Sequence, residues 1–303
     1  MKKSHISLLI TTLLLGACGQ EVVQVDITTS MFPHYDLVRE VSEGSDLTYS
    51  LIVPPGVEVH SYRPTPKQTV AINQSQVFFY SSDTIETWVS NLTVDTVKII
   101  NVHEALFADD EDEHLHADDE EHHHGVHYWT NPENFVLEMD LVVNELSLIQ
   151  PDNAELFTAN ANAYEDLIIR ASNQFRTDIS GLTNPTVFFV GHNTMEDFGE
   201  YFNLDIIPLV EDIKPDADVT PSQLSALVDA IVSSNASHIF TEELASTRFA
   251  DTVKNELKAK HGRDIEIQEL HGYHNVTETD FRNEVTYLDL LERNFTNLKV
   301  ALV

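Results

Sequence analysis

Cysteine occurs once in the 303 residues, at Cys18. No disulfide can form within the chain, and no metal site can be built from several thiolates. Basic residues are also scarce, with 17 Lys and Arg against 50 Asp and Glu and a formal net charge of -33. Such a surface repels phosphate backbones and anionic headgroups, which excludes nucleic acid as a partner; it suits cations or simple solubility. The zinc-hydrolase signature HExxH is missing too: "HEALF" at 103–107 has no second histidine. Beyond the N-terminus, no apolar run is long enough to cross a bilayer. What remains is a chain with 42% apolar residues, enough to fold, and a length suited to two α/β domains.

The N-terminus reads as an address. "MKK" is a short basic region, and "ISLLITTLLL" is an apolar run too short for a stable membrane anchor. "LGAC" follows and resembles a bacterial lipobox, which implies cleavage after residue 17 and lipid attachment at Cys18. The expected organisation is a signal peptide at 1–17, a tether at 18–24 and a first α/β lobe at 25–150. A linking helix at 151–180 and a second α/β lobe at 181–303 complete it. Strand candidates in the first half are 22–29, 47–53, 76–82 and 97–102. In the second half they are 186–191, 205–210, 238–243 and 264–270. Several are near-continuous β-branched and aromatic runs, as in strands covered on both faces. The clearest helix is "TPSQLSALVDAIVSS" (220–234), where Thr220 can cap, Pro221 fits the first helical position, and Leu224, Leu227, Val228 and Ile231 share a face. Strand–helix alternation predicts two parallel-sheet lobes. Between them, residues 151–180 contain no Gly or Pro after their start, which predicts a stiff helix of about 25 residues, near 40 Å long.

Histidine is the residue in excess. "HLHADDEEHHHGVHYW" (114–129) packs six histidines and four carboxylates into sixteen residues, with no apolar period and no face to bury. It predicts a loop, placed at 103–126 in the first lobe. Four histidines stand outside its dense part. His60 follows a strand in "IVPPGVEVHSY", and His127 opens "HYWTNP". His192 ends "TVFFVGH", and His271 lies in "ELHGYHN". Three of these fall at carboxyl ends of predicted strands, where open α/β sheets bind ligands. Histidine is also the commonest side-chain ligand for transition metals. Residues far apart in sequence cannot be tied to one site by spacing alone.

The segments "TSMFPHYDLVREV", "PPGVEVHSYRPTP", "HYWTNP", "GHNTMEDF" and "ELHGYHNVTETDF", with "KPDADVTPSQL", resemble the cluster A-I substrate-binding lipoproteins of zinc and manganese ABC transporters. The resemblance covers nearly all of the chain after the lipobox. It implies two Rossmann-like lobes joined by a long rigid helix, with metal in the cleft between them and only small closure. It also implies that His60, His127 and His192 are metal ligands. The fourth position in that family is usually Asp or Glu. Here His271 stands first for it, His274 second, and Glu242 or Glu243 behind. Thr130 and Asn131 stand where Leu and Asp are usual, and Asn193 and Thr194 follow the third histidine; these bear on what orients the imidazoles and remove no ligand.

A ligand set rich in imidazole points to zinc over manganese, which prefers oxygen donors. The expected function is zinc capture outside the cytoplasm, by a monomer anchored through lipid to the cell membrane, and delivery to an ABC permease and its ATPase. A manganese-binding component and a metal-dependent adhesin are the alternatives. A zinc hydrolase is the weaker rival, because four protein ligands leave no open coordination position for catalysis. Within the tract, His114, His116, His122, His123 and His124 are expected to collect metal weakly, while His127 belongs to the cleft.

Overall fold

The computed structural model describes residues 24–112, 125–183, 185–211 and 219–303. The apolar run, Cys18 and residues 113–124 of the histidine-rich tract lie outside the described residues. Among the described residues, no helix is long and apolar enough to cross a membrane.

Two four-stranded parallel sheets form the framework. The first contains β1 (Ile27–Thr29), β2 (Tyr49–Leu51), β3 (Val77–Tyr80) and β4 (Lys98–Asn101), in the order β2-β1-β3-β4. The second contains β5 (Thr186–His192), β6 (Asp205–Val210), β7 (His238–Thr241) and β8 (Glu266–Glu269), in the matching order β6-β5-β7-β8. Every pairing is parallel. Helices on both faces explain why β3 reads VFFY with all four residues buried. In each sheet the order reverses between the first and third strands, and the crevice at such a reversal is where ligands bind.

Ten helices are described: α1 (Phe32–Val41), α2 (Pro66–Gln74), α3 (Val102–Asp112), α4 (Pro132–Ile149), α5 (Ala154–Ile179), α6 (Glu196–Phe202), α7 (Pro221–Ser234), α8 (Arg248–His261), α9 (Glu278–Arg282) and α10 (Tyr287–Leu302). The expected helix at 220–234 is α7, and Thr220 closes a capping box with Gln223. The expected linking helix is α5, preceded by a 3₁₀ turn at Pro151–Asn153. Residues 103–112, expected as the start of a loop, are helical in α3, which begins at Val102. The Asn101 side chain accepts from the Glu104 amide at its start, and His103 packs edge-on against Phe107 and Tyr128. His103 therefore belongs to the ordered lobe.

The 26 residues of α5 span about 39 Å. Phe157, Ala161, Tyr164, Ile168, Ser172, Phe175 and Ile179 are buried along it, a stripe at helical spacing. Its first half packs on α1 and α4, and its second half meets α10, where Phe175 stacks on Phe295 at 4.3 Å. One buried apolar cluster runs without a break from Ile27 and Phe79 of the first lobe to Phe189, Phe240 and Leu298 of the second.

A buried carboxylate ties three helices at this junction. Asp36 of α1 is fully buried and accepts from the Tyr164 hydroxyl of α5 (2.7 Å) and the Tyr287 amide of α10 (2.9 Å), and it pairs with Arg39. Replacing Asp36 by Ala strands the Tyr164 hydroxyl and the Tyr287 amide in the interior, while Arg39 keeps Glu40 and the Val285 carbonyl. The expected outcome is a loss of about 3–5 kcal/mol of unfolding free energy, read by urea denaturation at neutral pH. A change below about 1 kcal/mol would show that these donors find other partners.

Candidate metal centre

The sequence turns at Pro54 and Pro55 and leaves β2 through Gly56, whose φ of +82° favours glycine. The Gly56 amide donates to the Val276 carbonyl at 2.7 Å, which pins this loop to the other half of the molecule. Two residues on, Glu58 accepts from the amides of His60 (2.7 Å) and Ser61 (2.8 Å) and from the Ser61 hydroxyl. Burial pushes the Glu58 carboxyl up, but these donors prevail and hold it below the usual carboxylate range. The turn they fix presents the His60 ring to the cleft.

His127 enters from the first lobe, just before a 3₁₀ turn (Tyr128–Thr130) that runs into α4, and Asn131 caps α4 by accepting from the Glu133 amide. That gives the departure from the family pattern at Asn131 a local role. The His127 ring donates to the Asn193 backbone, so Asn193 also orients an imidazole. Trp129 walls this side, fully buried, with its indole N–H donating to the Gly272 carbonyl at 2.9 Å.

His192 is the last residue of β5, and its Nδ1 bonds Glu242 Oε2 at 2.8 Å across the β5–β7 reversal. Gly191 permits that approach: a Cβ there would lie 2.6 Å from the Phe189 ring and 3.2 Å from Glu242 Oε2. Burial pushes the Glu242 carboxyl up to about 7, against the bond from His192.

His274 supplies the fourth ring. Its Nδ1 and its amide both face Glu243 Oε1, at 3.0 and 3.2 Å, and the Gly272 amide donates to Glu243 Oε2 at 2.7 Å. The segment carrying His274 is latched to the first lobe. The Phe32 amide donates to the His274 carbonyl, and the Asn275 side chain donates to the carbonyls of Pro54 and Val57.

The six separations between these four ring centres span only 5.0 to 5.6 Å. The arrangement is close to a regular tetrahedron. Its centre lies roughly 3.2 Å from each ring centre, the distance reached by a zinc–nitrogen bond of about 2.0–2.1 Å plus about 1.1 Å from nitrogen to ring centre. One ring nitrogen from each of His60, His127, His192 and His274 lies within 4.8 Å of the others. The Nε2 atoms of His127, His192 and His274 are buried with no hydrogen-bond partner. On His192 and His274 the carboxylate on Nδ1 holds the proton there and leaves Nε2 as a lone pair. Burial, and then the neighbouring imidazoles, push His127 well below its ordinary value; burial and His192 push His274 down to about 3. His127 and His274 are therefore neutral donors.

Of the residues singled out in the sequence, His60, His127 and His192 come together. His271, the first choice for the fourth position, does not join them, and the second choice, His274, does. The reason is local. The His271 amide donates to the Asn294 Oδ1 of α10 at 2.8 Å, and its carbonyl accepts from Asn294 Nδ2 at 2.9 Å. Its Nδ1 accepts from the Tyr273 amide at 2.9 Å. Tyr273 then takes a left-handed turn (φ +64°), which swings His274 into the cleft. Glu242 and Glu243, weighed as ligands, stand behind the rings as their hydrogen-bond partners. That role is invisible in a linear reading, although a doubled acid at the end of β7, beside the sheet reversal, is a signal for it. The tract histidines His114, His116, His122, His123 and His124 lie outside the described residues.

A family model described as the periplasmic component A of a zinc-uptake complex, ZnuA, matches residues 27–301. The zinc-binding lipoprotein AdcA of Streptococcus pneumoniae is 27% identical over 99% of this chain, which spans 61% of that relative's length. The manganese-binding lipoprotein MntA of Halalkalibacterium halodurans is 25% identical over 97% of each chain. Among solved structures, the periplasmic zinc-binding protein TroA of Treponema pallidum superposes with a TM-score of 0.77 at 17% identity, covering 92% of this chain and 99% of that one, a likeness of fold.

The two candidate fourth histidines make opposite predictions. His274→Ala should weaken binding of a divalent transition metal by orders of magnitude, more than the ~10–100-fold typical of losing an outer partner. His271→Ala should leave affinity within that outer range while lowering thermal stability. Chelator-competition titrations read the first quantity and calorimetry the second. The reverse pattern would return the fourth position to His271.

Proposed function

The chain belongs to the zinc-uptake complex component A family, and on that premise we propose that it captures zinc outside the cytoplasm and hands it to an ABC permease driven by its ATPase. The observation that carries this reading is the near-tetrahedral set of four imidazoles, three of them buried and that of His60 half-buried. Four neutral nitrogen donors suit zinc, whereas manganese favours carboxylate, carbonyl and water oxygen. Manganese is the second reading, because a relative of similar identity is a manganese-binding lipoprotein. The donor set weighs against it here.

His60, His127, His192 and His274 are the proposed ligands. Three enter from loops tied to the first lobe, and His192 enters from the second. A bound cation therefore holds the two lobes together across the cleft. A set of four protein ligands closes the coordination shell, which suits carriage and leaves no position for an attacking water. The proposed anchor is lipid on Cys18, as in the relatives named lipoproteins. The working form is a monomer at the outer face of the membrane.

The histidine- and acid-rich tract is proposed as an accessory collector. Its histidines bind zinc weakly, and its dense carboxylates raise the local cation concentration. Weak sites beside a strong one change how often metal arrives and leave the final equilibrium alone.

The test is metal binding and growth together. The purified chain should bind one zinc tightly and manganese orders of magnitude more weakly, and cells lacking it should grow poorly under zinc chelation. Tight manganese binding with a growth defect cured by manganese would install the second reading. Deleting residues 109–124 should preserve the equilibrium affinity and slow stopped-flow loading at low zinc, with the difference fading at high salt as exposed charges are screened. Unchanged loading rates and growth would leave the tract without a role in capture.

A further inference from the structure

Four neutral imidazoles bring no charge to a cation. The charge sits one shell out. Glu242 and Glu243 have side chains only 9% and 5% exposed. Among the described residues, the groups paired with them are His192 and His274, and no Lys or Arg joins them. Ligand-capable atoms of Glu242, Glu243 and His274 lie within 4.8 Å of one another. Two adjacent carboxylates, nearly dry and unmatched by a cationic side chain, repel each other and are costly to bury. Both face a ring nitrogen whose partner nitrogen points into the four-histidine cluster. Glu58, half-buried at the rim, adds a third carboxylate that water screens more strongly.

We propose that Glu242 and Glu243 make the site selective for dications over monocations, by supplying from behind the rings the negative charge that the ring nitrogens lack. The inference rests on reading the four-histidine cluster as the cargo site, and it names the kind of ion that site takes. Coulomb attraction scales with the product of the charges. Each carboxylate therefore stabilises a bound dication about twice as strongly as a monocation in the same position. Imidazole alone discriminates little between zinc(II) and copper(I), since both accept nitrogen donors in tetrahedral geometry. The two glutamates act through the histidines and are positioning residues: their hydrogen bonds set the tautomer, and their charge sets the valence.

Glu242→Gln separates these two roles. The amide oxygen still accepts from His192 Nδ1, and the charge is gone. Zinc(II), cobalt(II) and, under anaerobic conditions, copper(I) affinities are measured on the purified chain and the variant by chelator competition. Zinc and cobalt should each weaken by about 10–100-fold. Copper(I) should weaken by roughly the square root of that factor, about 3–10-fold, because it carries half the charge. The cobalt(II) absorption spectrum should keep the intensity of a tetrahedral nitrogen site, which shows that the rings have not moved. Glu243→Gln, with its fold checked by circular dichroism, should give the same order of losses. Equal losses for zinc and copper(I) would mean that the glutamates only orient the rings and would overturn the proposal, as would no loss for either. If the unaltered chain binds no zinc tightly, the cargo reading falls and takes this inference with it. If it does bind zinc and Glu242→Gln shows no dependence on valence, only this inference falls.

Discussion

A buried nitrogen lone pair without a donor costs on the order of 1–3 kcal/mol, and this protein sets three of them facing a common point, on His127, His192 and His274. A fold tolerates such a concentration only where surrounding contacts over-determine it. Here they do. Each of those rings is bonded on its other nitrogen, to the Asn193 backbone, Glu242 and Glu243 respectively. The loops that carry them are themselves bonded across the cleft. The free energy spent on arranging unsatisfied donors in the folded chain is returned when a cation satisfies them, which is what preorganisation means for binding.

The same contacts limit motion. The apolar core is continuous between the lobes, and α5 and α10 cross the junction together through Asp36, Tyr164 and Tyr287. A stiff helix and a shared core resist the wide hinge of binding proteins built on flexible linkers, and favour small shear or rocking. The segment 272–276 adds a further restraint. It leaves β8 in the second sheet yet is tied to the first lobe by Trp129, Asn275 and the Gly56 amide. His274 therefore travels with His60 and His127, and His192 is the ring that stands on the other side of the cleft.

Much of this was legible in advance, for reasons that vary by element. Parallel strands buried on both faces leave continuous apolar runs, so seven of the eight strands in the two sheets fall within the expected segments, β3 among them, and β5 runs one residue past its segment to His192. A Thr-Pro start with Gln three residues on specifies the beginning of α7 by local chemistry alone. The unbroken stretch after Pro151 could hardly be anything other than a long helix. Resemblance singled out His60, His127 and His192, because their flanking motifs are distinctive, and the three rings lie together in the structure. Residues 103–112 misled, since their acidity resembled the tract that follows, while the Asn101 side chain bonding at the start of α3 and the packing of His103 on Tyr128 make them helical.

The sequence by itself determined which segments become strands and helices, and that imidazole would dominate any site, because those outcomes depend on local pattern and residue chemistry. Only the tertiary structure decided which ring joins the other three. His271 and His274 lie three residues apart on one loop, and the choice falls to a left-handed turn at Tyr273 and to Asn294, a residue of another helix that grips the His271 backbone from both sides. It likewise decided that Glu242 and Glu243 stand behind the rings, since that placement exists only where β7 lies beside β5 and the loop after β8 folds back over both.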